Sequence, residues 1–109
     1  MADGRPRQAI ADANTAAARD PLSADPLFTL AAAQSAAGQP AAARATLERA
    51  VRLQPANSET WLRLGQFELA QGDARRALSV LGAALYLDPQ GPETQSAYAQ
   101  AQQSAAATR

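Results

Sequence analysis

Three of the seven prolines, Pro21, Pro55 and Pro89, stand 34 residues apart. No other feature of the chain constrains its fold as much. Sliding the sequence by that interval lays Leu30 on Leu64, Gly38 on Gly72, Ala43 on Ala77, Leu47 on Leu81, Ala50 on Ala84 and Leu53 on Leu87. Self-similarity at a period of about 20–50 residues denotes one supersecondary unit repeated and stacked on itself, so that the core is shared between neighbours. Composition agrees with helical units. Thirty of the 109 residues are Ala and five are aromatic, with Trp61 the single Trp. Close contact between small side chains on strong helix formers must therefore supply much of the packing.

Helix punctuation falls within the period. Asp25 reads as an N-cap and Pro26 as a first-turn residue, followed by apolar residues at helical spacing up to Gly38. Pro40 opens a second helix through Ala43, Leu47, Ala50 and Leu53, and Pro55 ends it. The same pattern recurs from Ser58, with Gly72-Asp73 as turn and cap and Pro89 as the stop. Upstream, Ala9, Ala13, Ala16 and Pro21 keep register with Ala43, Leu47, Ala50 and Pro55, so the first helix is the second half of a repeat. That half-unit is either a natural cap or the edge of a longer array. Helices are expected near 7–19, 25–37, 40–53, 58–71, 74–87 and 92–106, with residues 1–6 and the last few frayed. The domain then reads as one unit over 1–109: a half repeat at 7–22, full repeats at 24–57 and 58–91, and a capping helix at 92–107. In that last helix Gln95 and Gln102 stand where Trp61 and Glu68 would be, giving the polar outer face a terminal helix needs.

Ten Arg balance ten Asp plus Glu. No basic block is interleaved with aromatics, so nucleic acid is not an expected partner. All basic residues are Arg, which reads as coding bias of a GC-rich bacterium. The longest apolar stretch, Ala77 to Leu87, is broken by Ser79 and falls short of the roughly 18–20 residues of a bilayer span, so membrane insertion is not expected. Residues 1–20 contain no apolar run of the kind a secretory signal requires. A soluble, cytoplasmic chain is expected unless it belongs to a larger membrane or exported protein. With no His, Cys or Lys, the usual general base, thiol nucleophile and Schiff-base amine are missing, and no phosphate loop, dinucleotide fingerprint or calcium loop occurs. Asp20 and Asp25 are better explained by turn and cap formation than as a catalytic pair. The expectation is a chain without enzymatic activity, metal or cofactor.

The run Trp61-Leu62-Arg63-Leu64-Gly65, then Gln71-Gly72-Asp73, Ala77, Leu81, Ala84-Leu85 and Leu87-Asp88-Pro89 closely resembles the tetratricopeptide repeat consensus of W-x-x-L-G, a Gly-Asp turn, spaced apolar residues and a terminal L-D-P. The preceding unit, Ala24 to Asn57, carries Leu27 for Trp, Ala31 for Gly and Gln34 for the usual Tyr. The resemblance implies an all-α, right-handed α-solenoid of antiparallel helix pairs, about six helices in all. It makes Trp61 a packing residue rather than a ligand platform.

It further implies that function resides on a concave face formed by the first helices of successive units. That face is assigned Phe28, Ala32 and Ser35 (with Asp25), then Glu59, Leu62, Gln66 and Leu69, then Ser96 and Gln100 (with Glu93). In the chaperone-binding subclass, Lys, Asn and Arg hold a C-terminal carboxylate there. Here the slots read Phe28, Ala32, Gln66, Glu93 and Ala97, so that clamp is absent. What remains is an apolar strip of Phe28, Leu62 and Leu69 rimmed by acids, suited to an apolar or amphipathic helix. Contact with neighbouring repeats or with a second copy is the competing reading of the same strip. The leading expectation is a protein-interaction scaffold binding a peptide or helix. The alternative is an accessory tail of a larger bacterial protein, since the junction from Asp20 to Leu27 looks somewhat like the soluble tails of membrane polysaccharide polymerases or ligases, serving assembly or self-association.

Overall fold

A computed structural model describes residues 4–107. They form six α-helices and no strand: α1 (Gly4–Arg19), α2 (Asp25–Ala36), α3 (Pro40–Leu53), α4 (Ser58–Ala70), α5 (Ala74–Leu87) and α6 (Pro92–Ala107). Five of the six begin within one residue of the expected positions. α1 starts at Gly4 rather than Arg7, so residues 4–6 are helical where fraying was expected. The expected fraying of 1–3 and of 108–109 lies outside the described residues. No described helix is long and apolar enough to cross a membrane.

The chain divides into two compact units, residues 1–54 and 55–109, and the boundary falls at Pro55, the middle proline of the register. In the first unit α2 packs on both α1 and α3, around a core of Ala13, Ala17, Ala24, Leu27, Leu30 and Ala50. In the second, α5 packs on both α4 and α6, around Leu62, Ala77, Leu81, Ala84, Ala97 and Ala101. Both cores are built largely from Ala at full burial, as the composition demanded.

The turns inside the two complete hairpins are alike for a physical reason. Gly38 and Gly72 adopt φ of 77° and 85°, left-handed values that cost a residue with a Cβ. At each turn the glycine N–H donates to the carbonyl three residues back, Ser35 or Leu69, at 3.0 Å, and the next N–H, of Gln39 or Asp73, reaches five residues back to Gln34 or Glu68 at 2.9 Å. This pair of bonds satisfies carbonyls that the helix end would otherwise orphan. Asp73 then caps α5 by accepting from Arg76 N–H at 3.1 Å, as expected. Asp25 does not cap α2. It is the first helical residue, in the first turn where a carboxylate suits the helix dipole, and the preceding Ala24 makes no side-chain cap.

Candidate functional site

α4 is fixed at its start by Asn57, whose side chain accepts from Glu59 N–H at 3.0 Å, and by Trp61, whose indole N–H donates to the Pro55 carbonyl at 2.8 Å. The indole also packs against the second core, which makes it a positioning group. One period later the same device recurs with different chemistry: the Gln95 side-chain amide donates to the Pro89 carbonyl at 2.7 Å. A polar side chain at the solvent-facing end of the unit thus keeps the bond that Trp61 makes inside it.

The approach of α5 to α4 is set by Gly65, since a Cβ there would overlap the Leu81 side chain. Contacts run in opposite order along the two helices, Gly65 against Leu81 and Glu68 against Arg76, as antiparallel pairing requires. The Glu68 carboxylate is fully buried and meets Arg76 Nε at 3.3 Å, while the arginine itself is half exposed. In the first unit Gln34 occupies the equivalent position and its amide oxygen accepts from Thr46 Oγ1 at 2.6 Å. At the α5–α6 turn the Gly91 N–H donates to the Asp88 carbonyl at 3.3 Å, and a Cβ on Gly91 would displace the Asp88 carboxylate. Pro92 then opens α6, whose first turn carries Glu93.

With α5 beneath them, α4 and α6 leave an open groove of about 690 Å³ lined by Gln66, Leu69, Ala70, Pro92, Glu93, Ser96, Ala97 and Gln100. Four expected site residues, Gln66, Leu69, Ser96 and Gln100, meet in this groove together with Glu93. Its lining contains no cation, and its largest apolar group is Leu69, which is half-buried and also packs against the second core. Sequence reasoning missed Ala70 and Pro92, which lie at helix ends where neither periodicity nor the repeat pattern assigns a face.

The other expected residues lie elsewhere. Glu59 is exposed at the start of α4 and pairs with Arg63 at 2.8 Å. Leu62 is only 7% exposed and belongs to the second core, which corrects its assignment to an exposed apolar strip: one step around α4 turns it toward Leu81 and Ala97 instead of the groove. Phe28 is half-buried against the first core, as Leu69 is against the second, but it does not line the α4–α6 groove. Ala32 and Ser35 are exposed on α2 of the first unit, in register with Gln66 and Leu69. Among the described residues no group of His, Cys, Asp or Glu has the arrangement to hold a metal ion.

Known proteins agree with this geometry. The tetratricopeptide repeat family model matches residues 1–62 and 36–101. The fold is shared with the first tetratricopeptide domain of Spaghetti (RPAP3) bound to an HSP90 peptide, at TM-score 0.78 and 21% identity over 94% of this chain and 82% of that one. It is also shared with the TPR2B domain of yeast Sti1 in complex with pHsp70, at TM-score 0.76 and 22% identity over 92% and 85%. The Yersinia enterocolitica type III secretion chaperone SycD, in complex with a peptide of the translocator YopD, gives TM-score 0.73 and 18% identity over 95% and 79%. No curated protein sequence matches the chain. The repeat register, the glycine turns, the Trp61 anchor and the family match together place this chain in the tetratricopeptide repeat family.

Proposed function

We propose that this chain is a non-catalytic interaction module that takes a peptide or short helix in the groove between α4 and α6. The observation that supports the reading is the convergence of Gln66, Leu69, Ser96 and Gln100 on one open groove. Nothing in their chemistry suggests catalysis: amides and a hydroxyl present donors and acceptors to a backbone, and Leu69 offers an apolar anchor point. Similar folds hold peptides in the HSP90-peptide and YopD-peptide complexes, which supports the class of partner.

The groove's charge narrows that class. With Glu93 in the lining and no cation beside it, a peptide rich in carboxylates such as SRMEEVD would meet repulsion rather than a clamp. A neutral or basic peptide with one apolar side chain over Leu69 fits better. Ala32 and Ser35, exposed on α2, are proposed as further contacts by the same register.

Selection of a displayed random-peptide library on the intact chain, followed by titration of the selected peptide into isotope-labelled protein, tests the proposal. Amide shifts are expected at Gln66, Leu69, Ser96 and Gln100. The exposed substitution Ser96→Arg, whose long cationic side chain opposes a basic peptide and obstructs a neutral one, should weaken binding at least about tenfold while leaving the melting temperature unchanged. Shifts confined to other helices, or full affinity in Ser96→Arg and Leu69→Ala, would refute the assignment.

A further inference from the structure

A carboxylate stands in the first turn of each first helix: Asp25 on α2, Glu59 on α4 and Glu93 on α6. Negative charge there suits the helix dipole, which accounts for all three as folding residues. What neutralises the charge afterwards differs. Glu59 is paired within its own helix with Arg63, four residues on, at 2.8 Å. The register puts Ala97 where Arg63 stands, and Ala97 is buried in the second core. α6 contains no other charged residue, so nothing on that helix takes over from Arg63. Of the three carboxylates it is Glu93 that lines the α4–α6 groove, and the lining contains no cation.

We propose that Glu93 determines the specificity of that groove, and that the segment bound there carries an arginine or lysine close in sequence to the apolar side chain over Leu69. The inference rests on the groove being the binding site and adds which partner it selects. Glu93, Ser96 and Gln100 are all exposed and all line the groove, and their helical spacing puts them on one face of α6. From that face a carboxylate, a hydroxyl and an amide oxygen can each accept hydrogen bonds, which suits a group rich in donors. Across the groove Leu69 and Ala70 are the last residues of α4, and the carbonyl end of a helix adds partial negative charge.

The amide end of α6 acts in the opposite sense, but it amounts to about half an elementary charge against the full charge of the carboxylate. Glu59, in the same first-turn position, still holds Arg63. A guanidinium fits better than an ammonium, because its planar fork can meet both carboxylate oxygens and still donate to a neighbouring acceptor. Glu93 is exposed, so the pair is modest in strength and screened by salt. It governs which segments bind more than how tightly they do.

The test compares the intact chain with its Glu93→Gln and Glu93→Arg variants, both measured well below their melts. A displayed random-peptide library is selected on each at low ionic strength, where exposed charges are least screened. Peptides taken by the wild-type chain should be enriched in Arg, and less so in Lys, beside an apolar residue. That enrichment should vanish on Glu93→Gln and give way to Asp and Glu on Glu93→Arg. A peptide selected on the wild-type chain should bind Glu93→Gln about two- to fivefold more weakly. Its version with Gln in place of the cation should bind the two proteins equally, which isolates the pair from other effects of the substitution. Peptides that shift the amides of Gln66, Leu69, Ser96 and Gln100 without preferring a cation, or that keep full affinity for Glu93→Gln, overturn this inference and leave the groove as the binding site. Peptides whose shifts fall outside the groove overturn both.

Discussion

Replacing Gly65 by alanine adds one methyl group, yet the structure assigns it two opposing effects that can be separated. A Cβ at Gly65 would overlap Cγ and Cδ2 of Leu81 and lie 3.3 Å from Cδ1. Leu81 is itself 0% exposed, so it has nowhere to go, and overpacking of this kind costs about 1–3 kcal/mol. Against this, Ala in a helix interior is favoured over Gly by about 1 kcal/mol. Gly65→Ala should therefore leave a net loss of up to about 2 kcal/mol, the residue of overpacking after helix propensity is subtracted. Leu81→Ala alone should cost about 2–5 kcal/mol through lost burial and the cavity left behind. In the Leu81→Ala background the overlap is gone, and Gly65→Ala should become stabilising by about 1 kcal/mol, reversing its sign. Urea unfolding followed by Trp61 fluorescence reads this directly, because the only Trp of the chain packs against the same core. A stabilising Gly65→Ala in the wild-type background, or the same sign in both backgrounds, would refute the close approach of α4 and α5.

Removing residues 92–109 uncovers Ala77, Leu81 and Ala84, which pack with Ala97 and Ala101 of α6 in one core; a large drop in melting temperature is expected, and a truncated chain melting within a few degrees of the intact one would show that α6 is dispensable. Glu68→Gln should change stability by less than about 1 kcal/mol, because Gln34 shows that an amide is accommodated at that position and a neutral side chain avoids burying charge. Arg76→Ala should cost more than Glu68→Gln by leaving the buried carboxylate without its cation, the difference being moderated by the arginine's half exposure to water; denaturant midpoints of the two variants decide the order. Trp61→Ala should cost about 2–4 kcal/mol, somewhat below a fully buried aromatic, while Gln95→Ala should cost only the roughly 0.5–1.5 kcal/mol of one hydrogen bond, as paired thermal melts would show.

The helices were legible because their punctuation is covalent. Pro40, Pro55 and Pro92 limit where a helix can run whatever surrounds it, and Gly38 and Gly72 supply the positive φ that its ending demands. The family was legible for the same reason, since the 34-residue register depends on residues whose role is steric. The groove was only half legible. Gln66, Leu69, Ser96 and Gln100 were found because they lie well to one side of their helices. Leu62 was misassigned because successive helix positions differ by about 100°, and a residue at the border between groove and core takes the side that its neighbours' volume allows. Leu62 shares one buried core with the small residues Ala77 and Ala97, a consequence of packing that no spacing rule contains.

The two complete repeats differ most where they do not touch themselves. Positions that carry packing are nearly constant between them: Leu30 and Leu64, Leu47 and Leu81, Ala50 and Ala84, and Ala31 and Gly65. The groove-side first-helix positions are not, since the exposed Ala32 and Ser35 stand where the half-buried Gln66 and Leu69 do. A repeat can change these positions more freely than its fully buried ones, although Leu69 also packs against the second core. α2 presents small exposed residues, Ala32 and Ser35, while α4 and α6 form a groove with polar groups around one leucine; if the groove is the site proposed above, specificity resides in the second unit. Leu62 belongs with the buried positions, because its burial makes a substitution there act on folding before it acts on binding.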